Sequence, residues 1–208
     1  MTQILKKSSF LVCLALLLSV GHAQTASQLT VPQLKNGKII GAGFVVTLPP
    51  GITAEIGGSS ESNHGFYIEL PPRTDEVEVH SAHTRSYRYI AFDTKWDIGD
   101  MPSLDSAVGA ITGNLADNIP LDIVHSEEVT LDGNFPARLG TLPARRLIIK
   151  FRNSERKNAI RQVIVAYNAR KDASAIVYVI VLNTTEDNFQ EDMTVFGKVL
   201  AGFKLTGQ

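Results

Sequence analysis

The chain has 208 residues, 20 Lys+Arg against 21 Asp+Glu, a net charge of −1 and one cysteine. Such a balance makes no overall case for nucleic-acid binding, which shows as a basic domain. A single cysteine, Cys13, rules out an internal disulfide framework and a multi-cysteine metal site.

The N-terminus reads as an export leader. Lys6 and Lys7 precede an apolar run over residues 10–20, and Gly21-His22-Ala23 offers small residues for a cut after Ala23. A spanning helix needs about 20 apolar residues, more than this run supplies, and no later segment is long and apolar enough to span. Cys13 lies inside the apolar run rather than after a small-residue box, which argues against lipid anchoring. The cut removes Cys13, Lys6 and Lys7 and leaves a mildly acidic, thiol-free chain from Gln24 onward, exported to a bacterial periplasm or secreted. Residues 24–41 are polar with few large apolar groups and read as a linker or arm, and 42–208 as one globular domain.

Phe44, Val46 and Leu48 share one face of a short strand that Pro49-Pro50-Gly51 stops. Residues 57–64 have loop composition. Residues 66–70 alternate up to Pro71-Pro72, Val77 and Val79 alternate with Glu76, Glu78 and His80, and 87–92 form a strand rich in aromatics. The period then changes: Leu104, Val108, Ile111, Leu115 and Ile119 make one face of a helix, with Ser103 as N-cap and Pro120 as stop. Residues 123–131 read as extended and Asp132-Gly133 as a turn. Strands over 146–152, 161–169 and 175–182, separated by polar turns, predict an antiparallel meander. The last of these is apolar at both parities, as expected of an interior strand covered on both faces. Phe189, Met193, Phe196, Leu200 and Phe203 mark a closing helix, with Glu186 and Asp187 near its positive end. Runs of strands with few helices predict an α+β fold built on a mostly antiparallel sheet.

This order, with the Phe44-x-Val46-x-Leu48-Pro49 strand, the helix begun at Ser103-Leu104, the Pro143-Ala144-Arg145-Arg146 step, the Tyr178-Val179-Ile180 strand and the closing Phe196-Gly197-x-x-Leu200-x-x-Phe203, resembles the PsbP-like superfamily, including the DcrB-type exported bacterial domains. The resemblance spans roughly residues 43–205. It implies an antiparallel sheet flanked by helices, an α/β/α sandwich. It also implies a non-enzymatic accessory or binding role; one eukaryotic relative of the fold assists nuclear transport, and plant members sit on a photosystem. Its matching pieces are core residues, so it assigns no functional residue, and fold does not fix function.

The residues themselves supply no catalytic signature. His80 and His83 would point to opposite faces of a strand, and His64 and His125 stand apart in sequence. Ser59 and Ser60 lack the strand-to-helix elbow that a serine nucleophile needs. There is no phosphate loop or HExxH motif, and no cofactor is expected. The carboxylates Glu76, Glu78, Asp93, Asp97, Glu127 and Glu128, with Trp96, leave a hydrolase with a non-standard site as the alternative, and a structural subunit of an envelope complex as a third reading. The distinctive surface feature is charge segregation. Residues 117–132 hold Asp117, Asp122, Glu127, Glu128 and Asp132 without a cation, whereas 138–171 are rich in Lys and Arg. If the hairpin turn is centred on Glu155-Arg156, Lys150 faces Arg161. A basic patch of Arg146, Lys150, Arg152, Arg156, Lys157 and Arg161 then predicts a dock for an acidic protein or anionic envelope component. The competing reading is solvated surface neutralised by its acidic neighbours.

Overall fold

The computed structural model describes residues 32–41, 43–56, 65–70, 88–97 (the backbone alone for 95–97), 102–113, 129–152, 158–169 and 175–206. The leader, both histidine positions of the His80/His83 pair, His64, His125, Ser59, Ser60 and the strand around Val77 lie outside the described residues.

The strand apolar at both parities is central. It is β10 (Ala175–Thr185), the middle of the seven strands that the described residues contribute to this sheet, ordered β4-β5-β6-β10-β9-β8-β7. Its companions are β4 (Glu55–Ile56), β5 (Phe66–Glu69), β6 (Tyr89–Asp97), β7 (Thr130–Leu139), β8 (Leu142–Arg152) and β9 (Asn158–Ala169). Every pairing is antiparallel. The mostly antiparallel α+β architecture and the β8-β9-β10 meander are therefore present.

Alternation along the strands separates two cores. On one parity Ile176, Tyr178, Ile180 and Leu182 join Ile164, Phe66, Phe92 and Phe196. On the other, Val177 joins Leu147, Ile149, Phe151, Val163 and Val165 under helix α1 (Leu104–Thr112), which buries Ala107 and Val108. Ser103 caps α1 as expected, its Oγ accepting from the Ser106 N–H at 3.1 Å. Ser103→Ala should lower stability by about 1 kcal/mol, read from a urea midpoint shift at unchanged slope.

A second, four-stranded sheet, β1-β2-β3-β11, closes over the first core. It comprises β1 (Gln33–Lys35), β2 (Lys38–Gly41), β3 (Phe44–Thr47) and β11 (Phe203–Leu205). The linker reading of 24–41 thus does not extend to residues 33–41. Asn36 and Gly37, at φ 51° and 68°, make the tight turn of a β1–β2 hairpin, and Ile39 is fully buried. Asn-Gly is the favoured pair for a two-residue hairpin because both positions need positive φ. Phe44, Phe92, Tyr178 and Phe203 weld this sheet to the larger one, with ring centroids 4.6 Å apart for Phe44–Phe92 and 5.6 Å for Tyr178–Phe203. Thr47 donates its N–H to the Gly202 carbonyl at 3.0 Å, and a Cβ on Gly202 would lie 2.1 Å from the Thr47 carbonyl oxygen.

Helix α1 ends at Thr112 with Gly113 as its C-cap, and Leu115, Ile119 and Pro120 of the longer expected helix lie outside the described residues. Two further expected elements shift. Asp132-Gly133 is not a turn: β7 runs through it with a register shift between Leu131 and Gly133, and the chain reverses at Gly140, φ 58°. An extra residue in one strand produces such a bulge. The closing helix, α2 (Phe189–Ala201), stops before Phe203, which belongs to β11. The helix buries Asp192, Phe196 and Val199, a stripe rotated from the one read off the apolar residues. Asp192 is inside because Arg88 reaches it with two hydrogen bonds, Nε to Oδ2 at 2.9 Å and Nη2 to Oδ1 at 2.6 Å, and Thr184 Oγ1 donates to Oδ2 at 2.5 Å. This bidentate pair ties the approach to β6, the end of β10 and α2 together.

Candidate functional site

Along β8, Arg146, Ile148, Lys150 and Arg152 share one parity, as the sequence implies. Their partners on β9 differ from the expected ones. Lys150 is opposite Ile160 and Arg152 opposite Asn158, while Arg161 pairs with Ile149. A one-residue change of register moves a side chain to the other face of a sheet. Arg161 therefore points away from Lys150 and is only 6% exposed. It donates from Nε to Asn183 Oδ1 at 3.1 Å and from Nη2 to Tyr89 Oη at 3.0 Å, and its guanidinium lies 5.7 Å from the Phe151 ring centroid. Arg161 is a buried, tethered cation and not a member of a surface patch. Arg156 and Lys157 lie outside the described residues.

The three remaining cations differ in their freedom. Arg146 stacks over the exposed Phe135 ring, with Cζ 5.2 Å from the centroid, a cation–π contact. Lys150 Nζ is 3.2 Å from Asp132 Oδ2, and both side chains are about half exposed. A pair so wetted adds little stability and leaves the ammonium available to an incoming anion. The bulge in β7 is what brings Asp132 into reach, so part of the acidic segment does neutralise part of the basic one. Arg152 is exposed and has no ion-pair partner among the described residues.

Lys150 and Arg152 open on a cleft of about 480 Å³ that is also lined by Ile160, Asn158 and Glu186. Asn158 Nδ2 donates to Glu186 Oε2 at 3.0 Å, which fixes the carboxylate on the far wall. The cleft thus offers two cations, an apolar strip and one oriented carboxylate, a set that binds and orients charge. Among the described residues no group of three or more His, Cys, Asp and Glu gathers to hold a metal ion. No helix among them is long and apolar enough to cross a membrane.

Sequence reasoning found Lys150 and Arg152 from charge density alone. It missed Glu186 as a cleft wall, having assigned it to the start of the closing helix. It also missed the Tyr89–Asn183–Arg161 row, which exists because β6, β10 and β9 are in register at these positions. The available signal was the polar pair Arg161-Gln162 ahead of an unbroken apolar run.

No protein-family model matches the chain, and no curated protein matches it in sequence. Among solved structures it is similar to LpqN, involved in cell envelope biogenesis of Mycobacterium tuberculosis, at a TM-score of 0.52 and 14% identity, covering 86% of this chain and 91% of that one. Weaker likenesses are to cyanobacterial PsbP (CyanoP) of Synechocystis, at 0.45 and 12% over 79% and 87% of the two chains. The Saccharomyces cerevisiae Ran-binding protein Mog1p follows at 0.43 and 10% over 78% and 90%. At such identities the likeness is one of fold. LpqN has the PsbP-like fold, and the resemblance read from the sequence holds at that level.

Proposed function

We propose that this protein is an exported, non-enzymatic binding or accessory protein of the cell envelope. It docks an acidic protein or anionic envelope component at the β8–β9 end of its larger sheet. The observation that carries this reading is the cleft onto which Lys150 and Arg152 both open. The leader over residues 1–23 supports export, with release into the periplasm or the medium after cleavage near Ala23 and no membrane anchor in the mature chain. The fold shared with LpqN, whose role lies in envelope biogenesis, supports the envelope setting. The finer DcrB-type assignment belongs to the same proposal. So does an α/β/α layering, which the two cores of opposite parity favour, one under α1 and one containing Phe196 of α2.

The test is charge reversal. Lys150→Glu/Arg152→Glu should weaken binding to polyglutamate, a generic anionic probe, by about tenfold at low ionic strength and flatten its salt dependence. Binding unchanged in the double variant at low and high salt removes the cleft as the dock. Mass spectrometry of the exported protein should show Gln24 as the first residue; an intact Met1 refutes the leader.

A further inference from the structure

A different surface carries a cleaner charge pattern than the cleft. Register places Gln33, Ile40, Val45 and Lys204 in one row across the small sheet, and Lys35, Lys38 and Thr47 in the next. The alternate set, Ile39, Phe44, Val46 and Phe203, is buried in the core, so the first set faces outward. All of its members are exposed except the half-buried Val45, and Ile40 is 44% exposed.

Among the described residues this outer face holds three lysines and no carboxylate. None of the three forms an ion pair with a described carboxylate, in contrast to Lys150. Lys35 stands directly opposite Lys38, an arrangement that is unfavourable in isolation. An external anionic surface relieves that repulsion. The cations are all lysines, whose ammonium is a hydrated point charge on a flexible stem. Such groups suit diffuse charge spread over many phosphates, whereas arginine's fork suits bidentate recognition of one anion. Ile40 and Val45 lie in the row that ends on Lys204, next to the row of Lys35 and Lys38, so lysine stems can lie along them while the heads reach outward. A broad sheet face that sets lysines beside a short apolar strip matches a bilayer whose headgroups are anionic better than it matches a folded acidic protein, which would need shape complementarity.

We propose that the outer face of the small sheet docks the protein on an anionic phospholipid bilayer, with Lys35, Lys38 and Lys204 at headgroup phosphates beside Ile40 and Val45. This surface is independent of the β8–β9 cleft. The experiment uses protein purified from cells expressing the entire chain, pelleted with vesicles of phosphatidylglycerol mixed with phosphatidylcholine, or of phosphatidylcholine alone. Binding is expected on the anionic vesicles only and should be lost at about 1 M salt, where the screening length is about 3 Å. Lys35→Gln/Lys38→Gln should lower partitioning roughly thirtyfold and Lys204→Gln roughly fivefold, while Ile40→Ser lowers it by a smaller factor and Arg138→Gln, at an exposed position of β7, leaves it unchanged. All variants share one N-terminus, so any contribution of the leader cancels. Equal binding to neutral vesicles, no loss in the lysine variants, or an equal loss in Arg138→Gln would each overturn the proposal.

Discussion

Replacing Asp192 with alanine lowers the stability of the fold by about 3–5 kcal/mol, the expected cost of removing one partner from a buried ion pair. The side chains of Arg88 and Asp192 are 4% and 2% exposed, so the guanidinium cannot regain water when its carboxylate goes. Thr184 loses the nearer of its two acceptors at the same time and keeps the Thr185 carbonyl at 3.3 Å. Urea denaturation followed by circular dichroism measures the effect. The double replacement Arg88→Met/Asp192→Leu should recover most of the loss, because an apolar pair of similar volume removes the desolvation penalty together with the attraction. A single variant that costs under 1 kcal/mol would show that α2 is held by its apolar contacts alone.

Phe44→Ala is expected to cost about 3–5 kcal/mol, the range for deleting a large buried aromatic that leaves a cavity. Phe44 is 1% exposed and its ring centroid lies within 4.6 Å of Phe92, 6.0 Å of Phe203 and 6.2 Å of Tyr178. Its ring also covers Gly41, where an added Cβ would meet it at 2.2 Å. The ring is thus the main wedge between the two sheets. Hydrogen exchange should report the loss first in β2, β3 and β11, with β8 and β9 protected to higher denaturant. Phe44→Leu should cost less, since most of the wedge survives. Uniform loss across both sheets would mean that they unfold as one unit.

The parts of this fold that were legible in the sequence are those in which one side-chain period runs uninterrupted. β10 is apolar at both parities and lies in the middle of its sheet, and β8 and β9 were located within a few residues at either end. Ser103 was legible because capping is a local matter between a hydroxyl and an N–H three residues on. Features that depend on distant partners were not. The Asn36-Gly37 hairpin carries its own signal, but Gln33–Gly41 looks polar because a two-residue turn between short strands leaves only Ile39 facing the core. Phe203 continues the helical spacing of α2, yet β3 offers it a strand partner, and tertiary pairing wins. The bulge at Asp132 uses turn-forming residues inside a strand. In the candidate site, charge density was legible and direction was not. The face that Arg161 takes depends on the register of β8 against β9, which a one-residue difference in the connection reverses.

The pairing of β11 with β3 has a bearing on how the chain reaches its native state. The small sheet begins with the first described strands and is finished by the last, Phe203–Leu205, whose pairing joins Leu205 to Phe44, 161 residues apart in sequence. Closing so long a loop must be paid in entropy before the contacts it permits are made. High contact order of this kind slows folding. A chain emerging from the ribosome cannot complete its aromatic core until Phe203 has been synthesised, because Phe203 is one of the rings. The core under α1, which does not use Phe203, can form earlier, so the aromatic seam between the two sheets is the part that closes last.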